Sequence, residues 1–422
     1  MKFIDLFAGI GGFHVALEKL GHKCVLASEL NVNLQKTYFK NFGIEPKGDI
    51  RDIDVDSVPN FDILCGGFPC QPFSKAGKQE GINDKERGTL FYDVLNLLEA
   101  GQPSAFILEN VPQLARHDGR QTLALMEKEL RSIGYDVDYR IYSPHEFGIP
   151  QHRKRIYIVG KRGRKSLDKF EWINHYIKNT PTDIGDIIDK RAKGARKLTD
   201  KQKKCIEVWQ EFLDCILPSE PIGFPIWSYE FGATYPFKKV TPFSSKKLDN
   251  YKGSFGQSLY GESYNTYKLP SYARIEQNRF PNWKQNYIER NRNLYKKYKD
   301  KLDNVIPKII ALQIHSWQKF EWNCQEDKRI IKKHILQFRA SGLRVKKTDF
   351  APSLVCTSTQ IPIIGWKNRY ITKQEGLRLQ SFPDDFYLPE NNTTAFKALG
   401  NAVNANIIEL LVKELLKKTI NG

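Results

Sequence analysis

The sequence predicts an α/β protein. Its first 160 residues should form a mostly parallel sheet covered by helices on both faces, with a second, smaller and irregular domain before the chain returns. Three observations predict this. Short apolar runs alternate with stretches of helical periodicity between residues 2 and 160, the pattern of strand–helix–strand units. A glycine-rich turn closes the first run, where such sheets bind ligands beyond the carboxyl ends of their strands. The charge is also divided unevenly: residues 1–160 hold 19 basic and 21 acidic residues, residues 161–350 hold 39 and 21, and residues 351–422 hold 8 and 6.

Lys2–Phe7 is the first apolar run, ending in Ala8-Gly9-Ile10-Gly11-Gly12. Phe13, Ala16, Leu17 and Leu20 recur at i, i+3, i+4 and i+7, one face of a helix that Gly21 stops. Cys24–Ser28 reads as the second strand and Phe61–Cys65 as a later one. Leu90, Val94, Leu97 and Leu98 mark another helix, and Ala105–Leu108 another strand. Asp136–Tyr142 and Arg155–Gly160 read as two further strands. Beyond them, Thr199–Leu217 places Ile206, Trp209, Leu213 and Ile216 at helical spacing. Tyr287–Leu302 reads as a basic helix with Tyr287, Leu294, Tyr298 and Leu302 on one face, either lying along phosphates or simply solvated. Residues 402–416 form an amphipathic helix (Ile407, Ile408, Leu411, Leu415) expected to pack back on the first domain.

Composition excludes several classes. A chain of 422 residues with 40% hydrophobic and 12% aromatic content is neither disordered nor too short for a sizeable core. No run approaches the roughly 18 apolar residues of a membrane span, and MKFIDLFAGIGG is not a signal peptide. Seven scattered cysteines without a C-x-x-C pair argue against a disulfide framework or a zinc knuckle, and for a reducing cytoplasm. The net charge of +18 suits a polyanionic partner, or simply a soluble basic protein. The whole excess lies in residues 161–350, which also carry Trp172, Trp209, Trp227, Trp283, Trp317 and Trp322. Basic residues interleaved with aromatics suit phosphate attraction and base stacking.

The glycine loop after the first strand lets backbone approach a ligand, and the helix start behind it offers free N–H groups. Glu29 ends the second strand, placed to accept hydrogen bonds from ribose hydroxyls, and Asp49 stands ready for an adenine amino group. The spacing departs from the dinucleotide fingerprint because His14 stands where its last glycine would be, so a nucleoside without a pyrophosphate fits as well or better. A tight strand–helix turn also needs such glycines for structural reasons alone.

The next loop is more specific. Gly66-Gly67-Phe68-Pro69-Cys70-Gln71-Pro72-Phe73-Ser74 resembles the DNA cytosine-5 methyltransferase family, and further blocks follow in that family's order. They are Asp5–Gly12 before it, then Gly88–Phe91, Glu109-Asn110-Val111, Gln151–Arg155, Thr372–Asp384 and Gly400–Val403. The resemblance implies a Rossmann-like methyltransferase domain at residues 1–160, completed by 365–422, and a target-recognition domain at 161–364 that binds DNA. It is similar to the short bacterial type, and with the first block at Asp5 no regulatory domain is expected ahead of it.

The chemistry explains the residue types. Carbon 5 of cytosine is a poor nucleophile, so in the family a thiolate adds to carbon 6 and makes carbon 5 enamine-like. The resemblance makes Cys70 that nucleophile, its thiol ionising from about pKa 8.5. Glu109 would stabilise the charge pushed onto ring nitrogen N3. Arg155 would contact the cytosine O2, with Arg153 near the nucleophile and a backbone phosphate. Two arginines at i, i+2 share one face of a strand. The implied cofactor is S-adenosylmethionine, lined by Phe7, Gly9, Ile10, Gly11, Glu29, Asp49, Ile50, Phe68, Pro69, Leu90, Asn401 and Ala402, the last often serine in the family. Cytosine must leave the duplex to be reached. The polar loop 74–87 would close over double-stranded DNA, with Ser74, Lys78, Gln79 and Arg87 touching it. No metal or membrane is implied; a monomer is expected, with a restriction endonuclease for the same site as functional counterpart. Rival readings are an RNA methyltransferase of the same fold, disfavoured by the long basic middle segment, and a catalytically dead DNA binder, disfavoured by the intact Cys70, Glu109, Arg153 and Arg155 set.

Overall fold

In the computed structural model the residues described are 1–69, 89–245, 247–260, 265–354 and 360–417. They form two compact units, Met1–Ala192 with Asp349–Ser358 and Thr372–Gly422, and Lys193–Thr348 with Thr359–Ile371.

The first unit begins with β1 (Lys2–Leu6), α1 (Gly12–Lys19), β2 (Lys23–Ser28), α2 (Val32–Phe42), β3 (Ile63–Gly66), α3 (Thr89–Gly101), β4 (Ala105–Asn110), α4 (Gln121–Ser132), β5 (Tyr135–Tyr142), β6 (Gln151–His152) and β7 (Arg155–Arg162). Six of these strands make one sheet in the order β2-β1-β3-β4-β7-β5. Neighbouring residues of β1 enter opposite cores: Phe3 joins the cluster under α1, and Ile4 the cluster under α3 and α4. A sheet buried on both faces needs near-continuous apolar strands, and all six residues of β4 are buried. Helix ends follow local rules. The Asn31 side chain caps α2 by accepting from the backbone N–H groups of Asn33 and Leu34, and Gly43 ends it at φ 68°.

β1 pairs in parallel with β2 and β3, and β3 with β4, but β7 runs antiparallel to both β4 and β5. The cause is the connection. A parallel return needs a crossover of a dozen or more residues, usually a helix, and the short segment from Tyr142 to Arg155 holds only one four-residue turn and the two-residue β6.

The second unit contains α5 (Asp200–Asp214), β8 (Ile226–Trp227), α6 (Asn282–Lys297), α7 (Lys299–Leu302), α8 (Ile306–Ile310), β9 (Lys319–Asn323), β10 (Ile335–Arg339) and β11 (Gly342–Lys346). After β12 (Ala351–Pro352), which pairs with β6 in the first unit, β13 (Ile363–Ile364) and β14 (Arg369–Tyr370) complete a sheet in the order β14-β13-β10-β11-β9-β8. α5 starts at a capping box made by Thr199 and Gln202, as its sequence signature requires. Between β8 and α6 the chain is irregular and packs around its own small core of Tyr235, Leu259, Leu269, Ala273, Phe280 and Ile288. That part of the unit is held by a buried polar cluster. The Glu230 carboxylate, fully buried, accepts from Arg292 Nε at 2.9 Å and from the hydroxyls of Tyr272 (2.8 Å) and Tyr235. Burial pushes the Glu230 carboxyl up, against the pull of Arg292. Glu230→Ala should therefore strand the guanidinium, costing about 3–5 kcal/mol in urea unfolding. A loss below about 1 kcal/mol would show that Arg292 finds another partner.

Two sequence expectations change. α6 begins at Asn282 and stops at Tyr298, so its buried face is Lys284, Ile288, Asn291 and Leu294, while Tyr287 is only half-buried. The first unit also runs to Ala192, past the boundary set at 160, and takes the chain up again at Asp349–Ser358 and then from Thr372, where a single return at 365 was expected. Packing decides this. Ile173 is fully buried with Leu167, Phe170 and Trp172 against the α1 core, so Trp172 belongs to the first unit. Charge texture marks surfaces, not cores. The returning chain gives α9 (Lys373–Leu379), α10 (Asn392–Asn401) and α11 (Ala405–Leu415), and α11 lays Ile407, Ile408, Leu411 and Leu415 against the α1 core as its periodicity predicts.

Candidate active site

The loops after β1, β2, β3 and β4 leave the sheet at the same end, since these adjacent strands run in parallel. The first loop is left-handed at Phe7 (φ 53°), Gly9 (φ 58°) and Gly11 (φ 90°). For phenylalanine that backbone costs about 1–2 kcal/mol, which the surrounding fold must hold in place. A Cβ at Gly11 would lie 2.3 Å from the Phe42 ring, so only glycine fits there, and Ile10 is buried. At Gly9 a Cβ would meet nothing within 4 Å, leaving room for a ligand against the backbone.

Glu29 reaches across this loop. Its Oε2 accepts from the Gly9 N–H at 2.9 Å and its Oε1 from the Asn31 N–H at 2.8 Å. Burial pushes its carboxyl up despite both bonds. Each oxygen keeps a lone pair, the requirement for gripping a ribose diol. The Glu29 N–H donates to Lys47 O at 2.9 Å, which brings the segment of Asp49 and buried Ile50 alongside. Arg51 grips both Asp49 oxygens, at 3.0 and 2.5 Å, and holds that carboxyl below its usual range. Phe68 is buried, Leu90 half-buried, Pro69 and Asn401 exposed, and Ala402 buried directly after α10. The open space at Gly9, the lone pairs of Glu29 and the apolar side chain of Ile50 fit the nucleoside of S-adenosylmethionine. Glu29→Ala should raise the S-adenosylmethionine dissociation constant about tenfold to a hundredfold, the worth of hydrogen bonds to a charged group. Calorimetric titration showing no change would remove Glu29 from the site.

Glu109 is the penultimate residue of β4 and is buried. Antiparallel pairing sets the start of β7 beside the end of β4, with Asn110 opposite Ile156. Arg155, the first residue of β7, thereby places Nε 2.9 Å from Glu109 Oε1. The other carboxylate oxygen lies 3.8 Å from the position of a Cβ on Gly67, and Asn110 Nδ2 donates to Phe68 O at 3.3 Å. The Glu109–Arg155 pair therefore flanks the chain that leads through Pro69 to Cys70. Cys70 itself, with Ser74, Lys78, Gln79 and Arg87, lies outside the described residues.

Arg153 stands two residues ahead of Arg155, before β7 starts. Its side chain is buried, donating from Nη1 to Gly400 O (2.7 Å) and from Nη2 to Ala402 O (3.1 Å). Through these two bonds it fastens the returning segment. That segment comes close to α1 too: a Cβ at Gly12 would stand 2.6 Å from Val403 Cγ2. The sequence showed Gly12 and Val403 only as parts of separate blocks, with no local sign that one needs the other.

Comparison with known proteins shows the family. The sequence profile of the C-5 cytosine-specific DNA methylases matches residues 1–215 and 234–417. The Type II methyltransferase M.BanI of Aneurinibacillus aneurinilyticus is 31% identical over 100% of this chain and 97% of its own length. The Type II methyltransferase M.HhaI of Haemophilus parahaemolyticus is 39% identical over 43% of this chain and 55% of its own. In fold, the chain is similar to a DNA modification methyltransferase encoded within an E. coli prophage (TM-score 0.54, 20% identity, 98% of each chain). It is likewise similar to S. pombe Dnmt2 (TM-score 0.51, 18% identity, 99% of this chain and 98% of that one). With a profile spanning nearly the whole chain and a relative alignable end to end, this protein belongs to the C-5 cytosine-specific DNA methylases, which transfer a methyl group from S-adenosylmethionine to carbon 5 of cytosine in DNA.

Proposed function

We propose that this enzyme methylates one short sequence context in duplex DNA as the modification partner of a restriction endonuclease, acting as a monomer in the bacterial cytoplasm. The observation that carries the site assignment is the Glu109–Arg155 ion pair, set beside the loop leading to Cys70. In this reading the target cytosine leaves the helix and the Cys70 thiolate bonds to its carbon 6. Glu109 steadies the charge that develops at N3, and Arg155 holds the Glu109 carboxyl in position while facing O2. The first loop and Glu29 would hold S-adenosylmethionine, which would supply an electrophilic methyl group. A water molecule then takes the carbon 5 proton, the C–H electron pair re-forms the C5–C6 double bond, and the C6–S bond breaks to release the Cys70 thiolate. Arg153 acts at one remove, fastening Gly400 and Ala402 so that Asn401 closes on the cofactor.

The second unit reads the DNA. Its support is the charge: the excess of residues 161–350 falls mostly on this unit, and duplex binding by such a surface releases counterions. Affinity for an arbitrary duplex should accordingly fall about a thousandfold between 50 and 200 mM salt, for roughly six phosphates contacted. A flat salt response in fluorescence anisotropy would contradict that role. Transfer of labelled methyl groups to duplex DNA, with transfer RNA as the control, tests the substrate assignment. Labelling confined to the RNA would overturn it.

A further inference from the structure

The four most exposed aromatic side chains among the described residues all lie in one stretch of the second unit: Tyr260 (75%), Tyr267 (65%), Phe243 (56%) and Trp283 (54%). Two of them are mounted alike. Tyr260 follows Leu259 and Tyr267 precedes Leu269 by two residues, and both leucines are buried in the small irregular core. Lys268 Nζ donates to Ser258 O at 3.0 Å and so ties the two arms together, while the Leu259 N–H donates to Tyr251 O at 3.0 Å and ties the first arm to the chain before it. Arg274 holds the second arm, donating from Nη2 to Tyr267 O (2.5 Å) and from Nε to Leu269 O (2.8 Å). A Cβ at Gly253 would lie 2.5 Å from Lys268 O, so that glycine is required for the arms to close. Two exposed rings thus stand on a rigid base, which removes much of the entropy cost of presenting them to a partner.

The surroundings define the partner. Residues 236–280 carry eight basic and three acidic side chains, and two of the eight, Lys268 and Arg274, are already used as backbone staples. Lys239, Lys247 and Lys252 are exposed. Positive charge in the same stretch as exposed aromatic rings suits a polyanion that also offers apolar and π surface, which is what base edges and thymine methyl groups present in a duplex groove. We infer that Tyr260 and Tyr267 are specificity-determining residues, contacting bases of the target duplex while the lysines around them hold its phosphates. This rests on the second unit being the DNA-reading part.

The rings and the charges should separate experimentally. In a Tyr260→Ala/Tyr267→Ala enzyme, methylation of plasmid DNA at its preferred context should fall about tenfold to a hundredfold, the scale of losing direct base contacts. The context should broaden in sequencing, while affinity for a random 30-base-pair duplex and its salt slope stay within about threefold, since no phosphate contact is lost. A Tyr260→Phe/Tyr267→Phe enzyme should keep most activity, and a thermal midpoint near that of the parent shows that the alanine variant is folded. An alanine enzyme with the parent's rate and context overturns the proposal. If it does so while Lys239→Gln/Lys247→Gln/Lys252→Gln weakens random-duplex binding, the second unit still binds DNA and only the aromatic pair is wrong. If the lysine variant is also unchanged, the DNA-reading role of the unit falls with it.

Discussion

Cys70→Ala should abolish methyl transfer, a loss on the order of 10⁵-fold or more, while duplex binding persists. The size follows from the mechanism. Without addition at carbon 6, carbon 5 has no enamine character and cannot attack the methyl group, so no slower version of the same route remains. Binding should survive because phosphate and base contacts come from other residues. The measurement is labelled methyl transfer paired with trapping on a duplex carrying 5-fluorocytosine. Fluorine cannot leave carbon 5 as a proton does, so the parent enzyme should form a covalent complex stable to denaturation, and the alanine enzyme should form none. Residual transfer above about 1% would show that another group adds to the ring.

The second large effect is expected at Glu109. Glu109→Gln keeps the shape of the side chain and a hydrogen-bonding end, but the amide cannot move a proton to or from N3 and cannot form the ion pair with Arg155. The turnover rate should fall about 10²- to 10⁴-fold, the usual contribution of a positioned acid or base. Because Glu109 lies by Gly67 rather than on the Glu29 side of the sheet, S-adenosylmethionine affinity should hardly change. A purely structural role would instead lower the thermal midpoint and weaken cofactor binding together. A rate within about fivefold of the parent would remove Glu109 from the chemistry.

What could be read from the sequence depended on how local its cause was. Phe13, Ala16 and Leu17 announced α1 because helix periodicity is written within seven residues, and the apolar run of β4 announced a strand buried on both faces. Glu109 and Arg155 were legible as candidates because the chemistry demands those residue types, although nothing local said that they touch. Their contact depends on β7 turning antiparallel, which places its first residue at the ligand end of the sheet. Arg153 shows the opposite case. Strand alternation read it only as a neighbour of Arg155, with no sign that its side chain also donates to carbonyls about 250 residues away in sequence. The second unit was the least legible. Its strands β8, β13 and β14 are two residues long and carry no period, and its Glu230–Arg292 anchor joins residues 62 apart. Glu230 lies among ordinary polar and aromatic neighbours, so only the folded chain reveals that it is fully buried.

The central claim is that this chain marks cytosines at carbon 5 in one DNA context through Cys70. Bisulfite sequencing of a plasmid from a methylation-free host expressing the protein tests it most directly. The expected result is a set of protected cytosines sharing a single recurring short sequence, absent from the plasmid of a Cys70→Ala strain. A plasmid with every cytosine converted would contradict the claim, and so would protection that survives the Cys70→Ala change.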